Sequence, residues 1–299
     1  MTKKLARGTL PALCTPFDDS GRELAIDRVA PLVGALIDAG SSGLFVCGGT
    51  GEGAAMSVAE RKSMAATTAS AVAGAVPLIL QVGATSTENA VELAHHASSL
   101  PIDAVASVAP VDAPNDLRAA VDHYAAIGAA TDLPFYVYWL ARTADQNVTA
   151  AQYLEAMRAV PNFAGIKFTD TNFYLFQQLV DLSEGQLNLI TGPDEMCVAG
   201  MVMGSDAAIG TTYNVMPKRY VEMRRAFEAG DIRRAMDCQV EANRIISTFI
   251  KHGVLASVKA LLGWRNLPVG PTRPPNQPLT AEGESHLRRD LDQLGLEIA

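Results

Sequence analysis

"FAGIKFTDTN", residues Phe163 to Asn172, is a β-favouring apolar run that follows Pro161 and carries a lysine at its centre. Such a run reads as a strand buried on both faces, the kind found in parallel sheets covered by helices. Charged side chains are rarely fully buried without a partner, so Lys167 needs a specific reason to be there. Outward from this segment, short apolar runs alternate with longer amphipathic stretches. The strand candidates are "GTLPALCTPF", "GLFVCGGTG", "PLILQVGAT", "AVASVAP", "PFYVYWL", "GIKFTD", "LNLITG" and "AAIGTTY". Helical patterns fall between them, at 27–39, 57–73, 87–99, 115–130, 149–159 and 171–183. Ser57 with Glu60 three residues on reads as a capping box, and Thr87 before "ENAVELAHH" as an N-cap.

This alternation predicts the α/β class and, within it, a (β/α)8 TIM barrel with appended C-terminal helices. An open, doubly wound sheet needs a switch point and usually a glycine-rich phosphate loop after its first strand. "LCTPF" supplies neither. Past the eighth unit, "KRYVEMRRAFEAGDIRRAMDCQVEANRIISTFIKHG" reads as two helices broken at Gly230–Asp231. A helix at 254–263, the link "LPVGPTRPPNQPLT" and a charged helix at about 280–294 complete the chain. The expected organisation is a barrel over residues 1–230 and a helical extension, 231–299, packed upon it.

The chain has 299 residues, a formal charge of -8 and a pI near 5.2, which argues against nucleic acid or an anionic membrane as partner. No apolar run approaches the ~20 residues of a membrane span. "MTKKLARGTLPALCTPF" lacks an apolar core of signal-peptide type, so a cytoplasmic location is expected. The cysteines, Cys14, Cys47, Cys197 and Cys238, have no metal spacing and read as free thiols. His95, His96, His123, His252 and His286 form no HExxH, so no metal is expected.

In a barrel of this type the active site lies at the C-terminal strand ends, where the unusual residues also fall. "GGTGEG" (Gly48–Gly53) follows the second strand, Tyr138 ends the fifth, and Lys167, Thr169 and Asp170 belong to the sixth. "GPDE" (Gly192–Glu195) follows the seventh and "IGTTYN" closes the eighth. Each has an ordinary alternative. The glycines could simply turn the chain, and Tyr138 could be a core residue with a satisfied hydroxyl. Asp194 and Glu195 could cap a helix, and Lys167 could snorkel or pair with Asp170. Strand alternation, however, puts Lys167 on the face of Thr169, and Tyr138 can share that lumen from the adjacent strand. Apolar surroundings disfavour an ammonium, and a neutral amine is a nucleophile suited to a ketone carbon. The backbone of "GGTGE" and the Thr50 hydroxyl could hold a carboxylate.

Taken with "ALCTPF", "GIKFTD", "MGSDAAIGTTYN" and "KHG…VKALLG…PVGPTRPP", these motifs resemble the N-acetylneuraminate lyase / dihydrodipicolinate synthase family of pyruvate-dependent Schiff-base lyases. The likeness covers nearly the whole chain, and its second half is nearer the neuraminate lyase branch. It implies a class I aldolase that splits a 2-oxo acid into pyruvate and an aldehyde, or joins them, without a cofactor. Lys167 would form the imine and Tyr138 would be the catalytic phenol. Thr50 and the backbone of Gly49 would hold the carboxylate, with Ala12 and Ile209 lining the pocket beneath. Thr169, Gly192, Asp194, Glu195 and Thr211 would contact a polyhydroxyl tail. The resemblance further implies a homo-oligomer, dimer or tetramer. Three departures stand out: Gly49 replaces a hydroxyl residue, Asp112 in "APVDAP" replaces a tyrosine lent by a neighbouring subunit, and "YWLART" replaces a Tyr-Asn-x-Pro turn. Arg142 stands one position from the synthase branch's arginine, and Trp139 would narrow the mouth or pack outside it. The rival outcomes are dehydration of a 2-keto-3-deoxy sugar acid on the same imine, and non-catalytic binding of a 2-oxo acid.

Overall fold

The computed structural model describes residues 4–295. The start of the basic N-terminal run and residues 296–299 of the expected extension lie outside them. Eight parallel strands form one sheet: β1 Gly8–Pro11, β2 Leu44–Val46, β3 Leu78–Gln81, β4 Ala104–Val108, β5 Phe135–Leu140, β6 Phe163–Thr169, β7 Asn188–Thr191 and β8 Ala207–Gly210. From β2 to β8 each strand pairs with the next in sequence, and β8 returns to β1. The remaining gap, between β1 and β2, is closed by a parallel bridge from Ala12 to Phe45, where the Leu13 amide donates to the Phe45 carbonyl at 2.9 Å. The result is the expected barrel.

Helices α1 Val29–Asp38, α2 Val58–Val72, α3 Thr87–Ala97, α4 Leu117–Ala129, α5 Ala150–Met157, α6 Phe173–Leu182, α7 Cys197–Val202 and α8 Pro217–Glu228 follow their strands and form the outer ring. The capping box of α2 forms as read, with Ser57 and Glu60 bonded reciprocally. Helix α3 corrects the reading by one residue. Ser86 is its N-cap, accepting from the Asn89 amide, and the Thr87 hydroxyl instead meets His123 Nδ1 at 2.9 Å. The break at Gly230–Asp231 is real: Gly230 has φ +81°, which glycine adopts without a Cβ clash, and α9 Ile232–His252 starts just after. Helices α10 Val254–Trp264 and α11 Ala281–Asp292 follow.

Two apolar layers hold the barrel. Between sheet and helices lie residues such as Phe135, Val137, Trp139, Ile166 and Phe168. Inside the sheet, Leu10, Phe45, Ile79, Ala106, Tyr136, Ile190 and Ile209 fill the lumen. The N-terminal end of the lumen is stoppered. Tyr136 Oη donates to Asn188 Oδ1 at 2.9 Å, and Asn188 also exchanges hydrogen bonds with the Ala6 backbone. Gly165 makes room for that ring, since a Cβ there would lie 2.5 Å from Tyr136 Cε1.

Candidate active site

Register decides which side chains meet. Tyr138 of β5 is aligned with Lys167 of β6, and Tyr136 with Gly165, so alternation sends all four toward the lumen. Lys167 is 4% exposed. Its amine donates to Thr169 Oγ1 at 2.8 Å and stands 4.0 Å from the centre of the Tyr138 ring. The Phe45 ring is 5.5 Å away and packs edge-on to Tyr138. No carboxylate lies within ion-pair distance of Lys167 among the described residues. Asp170, the partner a structural lysine would want, points to the other side of the sheet. There it accepts from Trp139 Nε1 at 3.0 Å and from the Asn172 amide at 3.1 Å. Trp139 therefore packs outside the barrel, stacked on Phe168, and does not narrow the mouth.

Thr50 sits across the lumen in the loop after β2, and its hydroxyl is 2.7 Å from that of Thr211 after β8. Ala12 and Ile209 are buried in the inner apolar layer, at adjoining edges of β1 and β8. Thr211 thus belongs with Thr50 as well as with the residues of the seventh and eighth strands. Gly49 is open: a Cβ added there would meet only Tyr138 Oη, at 4.0 Å. Gly192 is the opposite case, because a Cβ would come within 2.0 Å of Thr169 Oγ1 and 2.9 Å of the Phe168 carbonyl. Its glycine lets β7 close on β6.

Asp194 is buried and tied to the end of β8. It accepts from Thr212 N at 2.7 Å, Thr212 Oγ1 at 2.6 Å and Thr211 N at 3.2 Å. Burial pushes its pKa up to about 6, against these hydrogen bonds and the nearby Lys167, which favour the ionised form. Helix α9 holds the same turn, with Gln239 donating to the Asp194 carbonyl and Asn243 to the Glu195 carbonyl.

Two cavities are lined by residues that touch the lysine, Thr169 in one and Tyr138 in the other. One, of about 370 Å³, is lined by Thr169, Gly192, Asp194, Glu195 and Thr211, so the five residues read as tail contacts share one chamber. Ile246, Ile250 and Val254 of the C-terminal helices form its apolar side. The other, of about 400 Å³, has Gly49, Tyr138 and Arg142 in its wall. Asp112 is exposed in the turn after β4. Among the described residues no cluster of three or more His, Cys, Asp or Glu could hold a metal.

Sequence reasoning missed Asn214, buried and bonded to Cys14 N, the Ala12 carbonyl and the Thr211 carbonyl, which ties β1 to the loop after β8. Its place inside "TTYN" was the available signal. Thr212 was also missed, although its hydroxyl is the nearest partner of Asp194.

A family model described as the dihydrodipicolinate synthetase family matches residues 5–294. The N-acetylneuraminate lyase of Citrobacter koseri is 35% identical over 268 residues, covering 89% of each chain. That of Rhizobium meliloti is 36% identical over 273 residues, 90% of this chain and 88% of its own. The solved structure of Proteus mirabilis N-acetylneuraminate lyase superposes with a TM-score of 0.92 at 29% identity, covering 98% of this chain and 99% of that one. With a barrel that closes as theirs does and a family match over almost every residue, the chain belongs to the dihydrodipicolinate synthetase family.

Proposed function

We propose that this lyase is a class I aldolase that cleaves a 2-oxo acid to pyruvate and an aldehyde, or condenses the two. The observation that carries the reading is the Lys167 amine, buried against two aromatic faces with a hydroxyl and no carboxylate beside it. A structural lysine at that depth would have a counter-charge.

In the proposed cycle the Thr50 loop holds the carboxylate and sets the C2 ketone against Lys167 Nζ, a positioning effect that can be worth several orders of magnitude. Attack gives a carbinolamine. Its hydroxyl leaves as water with the Tyr138 proton, which yields the protonated imine and a phenolate. That phenolate takes the proton of the C4 hydroxyl while the C3–C4 bond breaks. The bonding pair flows into the imine, so an aldehyde departs and an enamine remains. Tyr138 returns its proton to C3, and water releases pyruvate from Lys167. The five-residue chamber is where a hydroxyl-rich aldehyde portion would sit, as in a neuraminate lyase-like enzyme. Protein and substrate supply every group these steps use, so the reading calls for no cofactor.

Gly49 favours keeping a second outcome in view. Gly49 has no side chain beside Tyr138 Oη, so this position passes no proton to the phenol. Loss of a C4 hydroxyl rather than of an aldehyde would use the same imine. We further infer a cytoplasmic homodimer or homotetramer, an assembly favoured by the exposed apolar residues Val202, Met203, Ile232, Met236 and Val240.

The test is borohydride reduction in the presence of pyruvate, followed by peptide mass spectrometry. The expected result is one reduced pyruvyl adduct, on Lys167. An unlabelled lysine at saturating pyruvate would leave a non-covalent binder. Products of turnover separate the two imine chemistries: pyruvate plus aldehyde for the aldolase, one longer oxo acid for the dehydratase.

A further inference from the structure

Glu52 is an anomaly in the loop that carries Gly49 and Thr50. Its φ is +52°, a left-handed conformation in which glycine is the usual residue. Glycines flank it at 51 and 53, yet this position keeps a long acidic side chain that is entirely buried. Strained backbone of this kind persists only where the surroundings hold it.

Those surroundings come from the far end of the chain. Glu52 Oε1 meets Lys259 Nζ of α10 at 2.5 Å, with 2% of the Lys259 side chain exposed. Glu52 Oε2 accepts from the Arg273 backbone amide at 2.7 Å. The same lysine donates to the Pro271 carbonyl at 3.1 Å and stands 4.4 Å from the centre of the Phe17 ring, on which Arg273 also stacks. Arg273 then reaches Glu60, at the start of α2, at 2.8 Å and the Gly21 carbonyl at 2.8 Å.

The loop has little slack elsewhere. The Gly51 carbonyl accepts from Thr15 Oγ1 at 2.6 Å, and the Glu52 and Gly53 amides bond back to the Gly49 and Gly48 carbonyls. A Cβ at Gly53 would lie 2.1 Å from the Cys47 carbonyl oxygen.

We propose that the Glu52–Lys259 pair is the positioning device of the carboxylate grip: α10 and the 267–276 segment set where Gly49 and Thr50 stand relative to Lys167. Glu52 and Lys259 touch no reacting atom; they act through Thr50. The inference rests on the reading of Thr50 as the carboxylate-binding residue. Its structural alternative is that the pair only stabilises the fold.

Three forms separate these: wild type, Glu52→Gln, which keeps the shape and the acceptor for Arg273, and the double variant Glu52→Gln/Lys259→Met, which removes both charges together. The measurements are thermal unfolding, adduct formation against pyruvate concentration, turnover, and amide hydrogen exchange over residues 48–53. The expected result, in both variants, is a rise of tenfold or more in half-saturating pyruvate, with maximal turnover within threefold of wild type. Exchange at 48–53 rises at least tenfold while the strands keep wild-type protection. A double variant with wild-type half-saturation and wild-type loop exchange overturns the proposal, whatever its melting temperature. So does Glu52→Gln if it melts lower but holds pyruvate as well as wild type. Exchange is read without substrate, so faster loop exchange in a protein whose wild type forms no adduct would sink the imine reading and leave the positioning inference standing.

Discussion

Lys167 was legible in the sequence because burial and charge conflict there, and the structure removes the ordinary resolution by turning Asp170 outward. On the proposed reading, a buried amine with no carboxylate in ion-pair contact is retained for chemistry at a cost in stability. Lys167→Met is therefore expected to melt a few degrees higher than wild type while losing adduct formation and turnover. Calorimetry and the borohydride assay check the two halves together. Tyr138→Phe keeps the ring that packs on Phe45 and lacks only the hydroxyl that carries protons in the proposed cycle. Its turnover should drop by about 10²–10⁴ with the melting temperature unchanged, by steady-state kinetics and calorimetry.

Asp194 adds a pH dependence. Its folded pKa, about 6, is above the unfolded value of 3.8. Between these pH values the folded state holds a proton that the unfolded chain has released. Stability from this group is thus fullest below about pH 4, falls as pH rises toward 6, and is level above; the span is about 3 kcal/mol. The difference in urea-unfolding free energy between wild type and Asp194→Asn should follow that slope. Above pH 6 the ionised carboxylate accepts from Thr211 and Thr212, so half-saturating pyruvate should rise more steeply as pH falls through 6 in wild type than in Asp194→Asn.

Individual elements were read well where local rules suffice. The strand periodicity, the Ser57–Glu60 box and the glycine break before α9 are encoded within a few residues of themselves. The α3 cap was misread because Ser86 and Thr87 are both competent caps, and a tertiary bond to His123 takes the second. The grouping of five chamber residues came from the family resemblance; strand order and register, which no single segment contains, are what bring them to one cavity. Gly49 and Gly192 look alike in sequence and differ in space. Gly192→Ala should push β7 off Thr169, cost about 1–3 kcal/mol and weaken binding of the aldehyde portion. Gly49→Ser should fold with wild-type stability, since only Tyr138 Oη is near. Chemical denaturation of the two variants makes the comparison.

At the scale of the molecule, the extension proved the least legible part. Its helices were foreseen, but the reach of Lys259 and Arg273 back to the loop after β2 spans more than two hundred residues of sequence. No local pattern records a contact of that separation. The apolar residues left exposed on α7 and α9 lead to a further expectation: sedimentation should find a dimer or tetramer, and Met236→Glu should shift it toward monomer without unfolding it.

The stopper of Tyr136, Asn188 and Ala6 has a kinetic consequence. With its base blocked, the vessel opens only toward the strand ends where the two cavities lie, so among the described residues both fragments of a cleaved substrate leave on the side by which it entered. In the proposed cycle one fragment is still bonded to Lys167 when the other is already free, so departure is ordered: aldehyde first, oxo acid last. Inhibition by added pyruvate should then be competitive with the substrate and that by added aldehyde noncompetitive, a hierarchy imposed by the plug and the covalent tether together.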